Sequence, residues 1–201
     1  MIHAYERAAD ERVDWVHNIP FMAIHVIPLA AIWTGVTRFD VALCAALYAA
    51  RMFFITAAYH RYFAHRSYKM GRVMQFLMAL GGTTAVQKGP LWWAAHHRHH
   101  HKYSDQTEDV HSPLKGFVWS HMGWIMCTKF RATQEHLIKD FASFPELRWL
   151  NLVVAPVTIK ASLFSLGMGF LYSFSMVFSG KPRMSLYIAV GVNVPDIMMT
   201  E

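Results

Sequence analysis

Charge is scarce in this chain. Only 16% of its 201 residues are Asp, Glu, Lys or Arg, where an ordinary soluble domain carries about a quarter. Hydrophobic residues make up 54% and the mean hydropathy is +0.21, so the shortage points to a membrane and away from a freely soluble domain. Cysteine is scarcer still: Cys44 and Cys127 are the two in the chain, too few for a disulfide framework and in no CxxC spacing. The opening stretch MIHAYERAADERVDWVHNIP mixes both signs of charge and lacks an apolar core ending at small residues, so it does not read as a signal peptide. Internal repeats and low-complexity segments are also absent. The net charge is +6 and the isoelectric point about 9.4, yet the basic residues form no stripe and are interleaved with apolar runs. Nucleic acid is therefore not an expected partner.

What the chain does have is long apolar runs. After a short amphipathic or irregular lead-in over 1–18, the 18 residues Ile19–Val36 carry no charge and reach the lower end of what crosses a hydrocarbon core as a helix. His25 within them is expected to pack against its neighbours. A tight connection, Thr37–Asp40, leads to a second candidate span at 41–59, whose one charge, Arg51, must face protein or reach for the interface. Two spans joined by a short loop form a hairpin, which places residues after 59 on the same side as the N-terminus. Residues 60–150 hold 12 of the 19 lysines and arginines, and by the positive-inside tendency that side is cytoplasmic. Val73–Val86 is too short to cross and contains Gly81-Gly82, so an interfacial or re-entrant piece is expected. The tryptophans and tyrosines from Trp92 to Trp124 suit headgroup depth, and 115–149 reads as a helical cap. A third apolar stretch, 152–179, is long enough to span, whereas 184–194 is not. The expected fold is an all-α integral membrane helical bundle, with spans near 19–36, 41–59 and 152–179 and a cytoplasmic helical cap.

The chemistry-bearing stretch is WWAAHHRHHHKYS at 92–104, read with HRYFAH at 60–65. Five of the 13 histidines fall within 96–101, and His60 and His65 stand five apart upstream. Neutral imidazole suits iron, zinc, copper and nickel, not calcium or magnesium. A solvated loop or an adventitious tag would also be histidine-rich, but a tag is terminal and has no second cluster placed just past an apolar segment. On a helix the spacing HxxHH turns three imidazoles to one side. Two registers satisfy it, His97, His100 and His101 or His96, His99 and His100, and they point about 100° apart. Periodicity leaves that choice open.

HRYFAHRSYK (60–69), WAAHHRHHHKYSD (93–105) and GFVWSHMGW (116–124) resemble the first two histidine boxes and the following segment of membrane fatty acid desaturases of the Δ9, stearoyl-type group, over roughly residues 19–152. The resemblance implies a non-haem di-iron enzyme that uses O2, and two electrons from a cytochrome b5- or ferredoxin-like donor, to introduce a cis double bond into a saturated acyl chain. The resemblance implies first-box metal ligands at His60 and His65, and matching HRxHHK to 97–102 implies second-box ligands at His97, His100 and His101, with His96 and His99 as neighbours. Metal-bound imidazoles need their second nitrogen held, and Asp105, Glu108 and Asp109 are the candidates. His111 and His121 match family histidines, but neither is assigned as a ligand.

Alkyl C–H bonds are too weakly acidic for general-base chemistry, which is why such a reaction needs a metal–oxygen oxidant that the protein mainly orients. Ala95 and His96 stand where the acyl-CoA branch of the family has an Arg-Asp pair, which favours an acyl-lipid or other carrier-bound substrate. No histidine follows His136, so the family's third box is absent and the chain is expected to be a truncated or frame-shifted copy. Two iron ions need on the order of ten ligand positions, more than five imidazoles fill. Alongside desaturation, a non-catalytic membrane protein holding a single metal ion is therefore also an expectation.

Overall fold

Thr37 starts the helix on which the rest is assembled. Its hydroxyl accepts from the Asp40 amide at 3.2 Å while the Asp40 carboxylate takes the Thr37 amide at 2.8 Å, a reciprocal capping box. The expected tight connection 37–40 is this cap. The structure, a computed structural model, describes residues 8–26, 29, 31–104 and 106–153. The expected span at 152–179 and the run at 184–194 lie essentially outside these residues, and so does Asp105.

From the cap runs α3 (Arg38–Phe53), preceded by two short helices, α1 (Ile19–Val26) and α2 (Ala31–Thr34). The stretch 19–36 is thus laid down in two pieces, and Pro28, which cannot donate a backbone hydrogen bond and disfavours helix just before it, falls between them in the sequence. Without interruption α3 becomes a π-helix over Phe54–Ala64. Together Arg38–Ala64 form a 27-residue helix containing an 18-residue stretch of mean hydropathy 1.8, the one helix among the described residues long and apolar enough to cross a membrane. Its two parts are covered differently. Phe39, Val41, Tyr48 and Phe53 on α3 are exposed, whereas Ile55, Ala58, Tyr59 and Phe63 on the π-helix are fully buried. The apolar shaft is bare and its far end is core.

Two helices bury that end. Against it lies α4 (Arg72–Thr83), and Gly81 and Gly82 explain how it comes so close: a Cβ at Gly81 would strike the Phe54 ring, and one at Gly82 the Tyr59 ring. Glycine is required here by the approach of a neighbouring ring, not by backbone conformation. The Tyr62 hydroxyl donates to Gln75 Oε1 of α4 at 2.9 Å. The opposite face of α4 leaves Val73, Met74, Leu77 and Leu80 uncovered. The turn after α4 places Val86 and Lys88 at φ 61° and 65°, a left-handed region uncommon for such residues, and the Tyr59 hydroxyl holds the Lys88 carbonyl at 3.2 Å.

Next comes α5 (Pro90–Tyr103), with Pro90 at its first turn, where the missing amide is harmless. Asn151 caps it from afar, its side-chain oxygen accepting from the Trp92 amide at 3.0 Å. The N-terminal half, Pro90–His96, is buried, while His97 to Lys102 emerge toward the surface. Short turns at Pro113–Lys115, Trp119–Gly123, Thr128–Phe130 and Glu135–Leu137, then α6 (Lys139–Ala142), follow α5; Trp124 stacks on Trp92 of α5 and Phe141 packs on Phe63 of the π-helix, with Trp124, Ile138 and Leu147 fully enclosed. The expected cap is therefore mostly turns, with little regular helix. The lead-in is irregular and fastened to this layer by a bridge between Val13 and Cys127, and by Lys115 to Glu11 at 3.0 Å with both side chains buried. Among the described residues there is no strand.

Candidate metal centre

His60 and His65 share one place because their segment is a π-helix. Five α-helical steps of 100° would leave them about 140° apart. In the π-helix the hydrogen bond reaches from residue i to i+5, so the fifth residue returns beneath the first, and the His65 amide does donate to the His60 carbonyl at 3.0 Å. Their Nε2 atoms stand 3.0 Å apart. On α5, His97 and His101 are four apart, one α-helical turn, and their Nε2 atoms are also 3.0 Å apart. Packing of α5 on the π-helix brings the pairs together: ring centroids lie 4.7 Å apart for His60 and His97 and 4.5 Å for His65 and His101. One nitrogen from each of the four lies within 4.8 Å of every other.

This donor set fits a transition-metal ion. Two nitrogens each about 2.1 Å from one ion and at right angles about it are separated by about 3.0 Å, the spacing of both pairs. Burial, and after it the nearness of His101, His60 and His65, pushes the His97 pKa down to about 2; burial and His65 also lower His101. Both shifts favour the neutral ring at His97 and His101, the form that ligation requires. Trp93 stacks on His97 at 4.6 Å and covers its inner side, while His65 and His101 are exposed, so the cluster opens outward.

His100 goes elsewhere. It is one residue, about 100°, from His101 on the helix, and its Nδ1 meets Asp109 Oδ2 at 2.9 Å. Burial alone would raise the Asp109 pKa, but the hydrogen bond from His100 and the field of His111 outweigh it, and the group stays below the usual carboxylate range. A carboxylate can only accept, so Nδ1–H of His100 donates, and in the neutral ring Nε2 is then the atom that carries the lone pair. The Asp109 second oxygen accepts the His111 amide at 3.2 Å, and the His111 ring stacks on His100 at 4.1 Å. His100, Asp109 and His111 form a second compact group of metal-capable side chains.

Of the two registers, it is His97 and His101 that meet His60 and His65. His96 is buried among Trp92 and Trp124, its Nδ1–H donates to the Trp92 carbonyl at 2.9 Å, and burial pushes its pKa down to about 4. His99 lies against Tyr103. Of the acidic candidates, Asp109 reaches an imidazole, whereas the Glu108 carboxylate accepts the Thr107 hydroxyl at the surface. His25 packs on Phe21 of its own helix, and His121 stacks on Phe117. Sequence spacing did not anticipate the role of His111 beside His100, or the π-helix; the unusual five-residue interval between His60 and His65 was the available signal for the latter.

Residues 39–194 match the family model described as fatty acid desaturase. The chain is 32% identical to the sn-1 stearoyl-lipid 9-desaturase of Anabaena variabilis over 165 residues, 79% of this chain and 59% of the relative. It is 38% identical to an acyl-CoA 5-desaturase of Anemone leveillei over 125 residues, 58% of this chain and 36% of the relative. To the sn-1 stearoyl-lipid 9-desaturase of Synechocystis sp. (strain ATCC 27184 / PCC 6803 / Kazusa) it is 36% identical over 116 residues, 56% of this chain and 36% of the relative. The chain thus spans between 36% and 59% of the length of these relatives. With the matched region covering most of its length and both histidine boxes, the chain belongs to the fatty acid desaturase family.

Proposed function

We propose that this chain carries the iron-binding core of a membrane-bound acyl desaturase that introduces a cis double bond, at the Δ9 position, into a saturated acyl chain. The observation that carries the reading is the convergence of four imidazoles from two segments, His60 and His65 with His97 and His101, in a chain of this family. One iron would be held by those four, and a second would take His100, whose Nε2 is left available by the bond to Asp109. Bound iron supplies the oxidising power, drawn from O2, that removing hydrogen from an unactivated methylene demands.

The residues of the chain prepare that chemistry. Trp93 holds the His97 ring and shields it from water on its inner side. Asp109 fixes the tautomer of His100. The apolar helix Arg38–Ala64, bare along α3, would anchor the centre beside lipid tails, and the 12 of 19 basic residues in 60–150 favour the cytoplasmic face. Overall, two hydrogens would leave adjacent methylenes and, together with two electrons from a cytochrome b5- or ferredoxin-like donor and two protons from water, reduce one O2 to two waters. An acyl-lipid or other carrier-bound substrate is favoured over acyl-CoA: Ala95 and His96, at the positions where a head-group pair would stand, are 0% and 1% exposed and present no charge.

Expression in a host that lacks the activity, followed by gas chromatography of its fatty acids, tests the reading. A new cis-monoene is expected, and its absence beside a working relative sinks catalysis by this chain. The compactness of the four-imidazole group, one ion's worth of donors, favours a second reading, a non-catalytic membrane protein holding a single metal ion. Metal analysis separates the two: a pair of irons per chain supports the desaturase, a single ion the alternative. Retention in membranes through a high-salt wash is expected of either.

A further inference from the structure

Arg98 sits inside the second histidine box, yet its side chain touches none of the imidazoles; it reaches the other box. Nε donates to the Ala64 carbonyl at 3.1 Å and Nη2 to the Phe63 carbonyl at 2.7 Å, the last two carbonyls of the π-helix that bears His60 and leads into His65. Nη1 donates to the Leu137 carbonyl at 2.9 Å, and Nη1 and Nη2 grip the two Asp140 oxygens at 2.9 Å each. All five guanidinium N–H groups are engaged. A cation is also well placed there, since the end of a helix offers unpaired carbonyls and partial negative charge. Asp140 is shared with Arg66 at 3.3 Å, the residue after His65, which holds φ 56°.

The four imidazoles come as two pairs, His60–His65 at the end of the π-helix and His97–His101 on α5, so the distance between pairs is set by how α5 docks on the π-helix. At the buried side Tyr59 packs on Trp93, with ring centroids 5.8 Å apart. At the open side, next to the imidazoles, the covalently adjacent Arg98 ties α5 to the π-helix end. We propose that Arg98 is a positioning residue: braced by Asp140, it sets the separation of the His60–His65 pair from the His97–His101 pair and thereby the geometry of the metal they hold. This deepens the metal-centre reading and rests on it. Lysine keeps the charge but offers a compact ammonium on a flexible stem, which cannot match a planar fork with acceptors on three segments.

The test uses the full chain in detergent, titrated with cobalt(II), whose visible absorption reports the number and arrangement of its ligands. The wild type is expected to bind. Arg98→Lys is expected to keep the helical circular dichroism but to bind cobalt about 10–100-fold more weakly, as when supporting residues around a metal are lost, and with an altered absorption spectrum. Asp140→Asn is expected to shift both readings the same way by less. A purely structural role would lower the melting temperature and leave the spectrum of the folded protein alone. Wild-type affinity and an unchanged spectrum in Arg98→Lys overturn the proposal; if that variant cannot be recovered folded, Asp140→Asn decides by the same two readings. Failure of the wild type to bind cobalt overturns the metal centre itself, and this inference with it.

Discussion

His100 and Asp109, nine residues apart, are joined by a hydrogen bond of 2.9 Å in which the imidazole donates from Nδ1. The carboxylate is completely buried and turned toward the histidine box by the turns that follow α5. Replacing it with asparagine keeps the shape but removes the charge that favours this tautomer. Asp109→Asn is expected to lower metal affinity by about 10–100-fold, measured by competition with a chelator of known strength. Glu108→Gln, at the surface, is expected to leave it unchanged; equal losses in both would remove Asp109 from the role.

The division of the histidines gives a sharper test. Alanine at His60, His65, His97 or His101 removes a donor from the four-imidazole cluster, and each change is expected to reduce the metal retained after purification and dialysis. Alanine at His99, which faces Tyr103, is expected to retain the wild-type amount. Loss of metal in His99→Ala with retention in His97→Ala would reverse the assignment of register.

Close approach of α4 to the π-helix predicts a stability effect far from any charge. In Gly82→Ala the new Cβ meets the Tyr59 ring, which is 0% exposed and has nowhere to move. Forcing a methyl into such a contact costs about 1–3 kcal/mol. A lower midpoint of thermal unfolding in detergent is the expected result, and a midpoint equal to the wild type would show that the helices are further apart than described.

A pH dependence follows from Glu146. The bidentate hydrogen bonds from Arg72, at 2.7 and 2.8 Å, hold its pKa down to about 2 from an ordinary 4.5. A depressed carboxylate pKa stabilises the fold above the unfolded value, and the benefit is lost as pH falls through the folded one. The melting temperature of the wild type should therefore exceed that of Glu146→Gln above pH 4.5 and converge with it toward pH 2. High salt is expected to narrow the gap, because the Arg72 side of the pair is exposed to solvent. A gap that widens on acidification would contradict the assignment.

Much of this was legible in the residues alone. Paired histidines and the long apolar run at 41–59 needed no coordinates, because ligand preference and the length of a hydrophobic run are properties of the residues themselves. The tight connection expected at Thr37–Asp40 is similarly local, and the structure shows it to be a helix cap. Packing decided the rest. A helical spacing states the angle between side chains on one element but not which angle faces another element, so only the docking of α5 on the π-helix selected His97 and His101 and turned His100 to Asp109. The widened π-turn that brings His65 beneath His60 departs from α-helical geometry, and the burial of Ile55, Ala58, Tyr59 and Phe63 by neighbouring helices accompanies it. Gly81 and Gly82 look like helix breakers in the sequence, and become intelligible once the rings of Phe54 and Tyr59 lie against them. Arg98 reads as one more basic residue until the carbonyls of Phe63 and Ala64, more than thirty positions earlier, are placed within its reach.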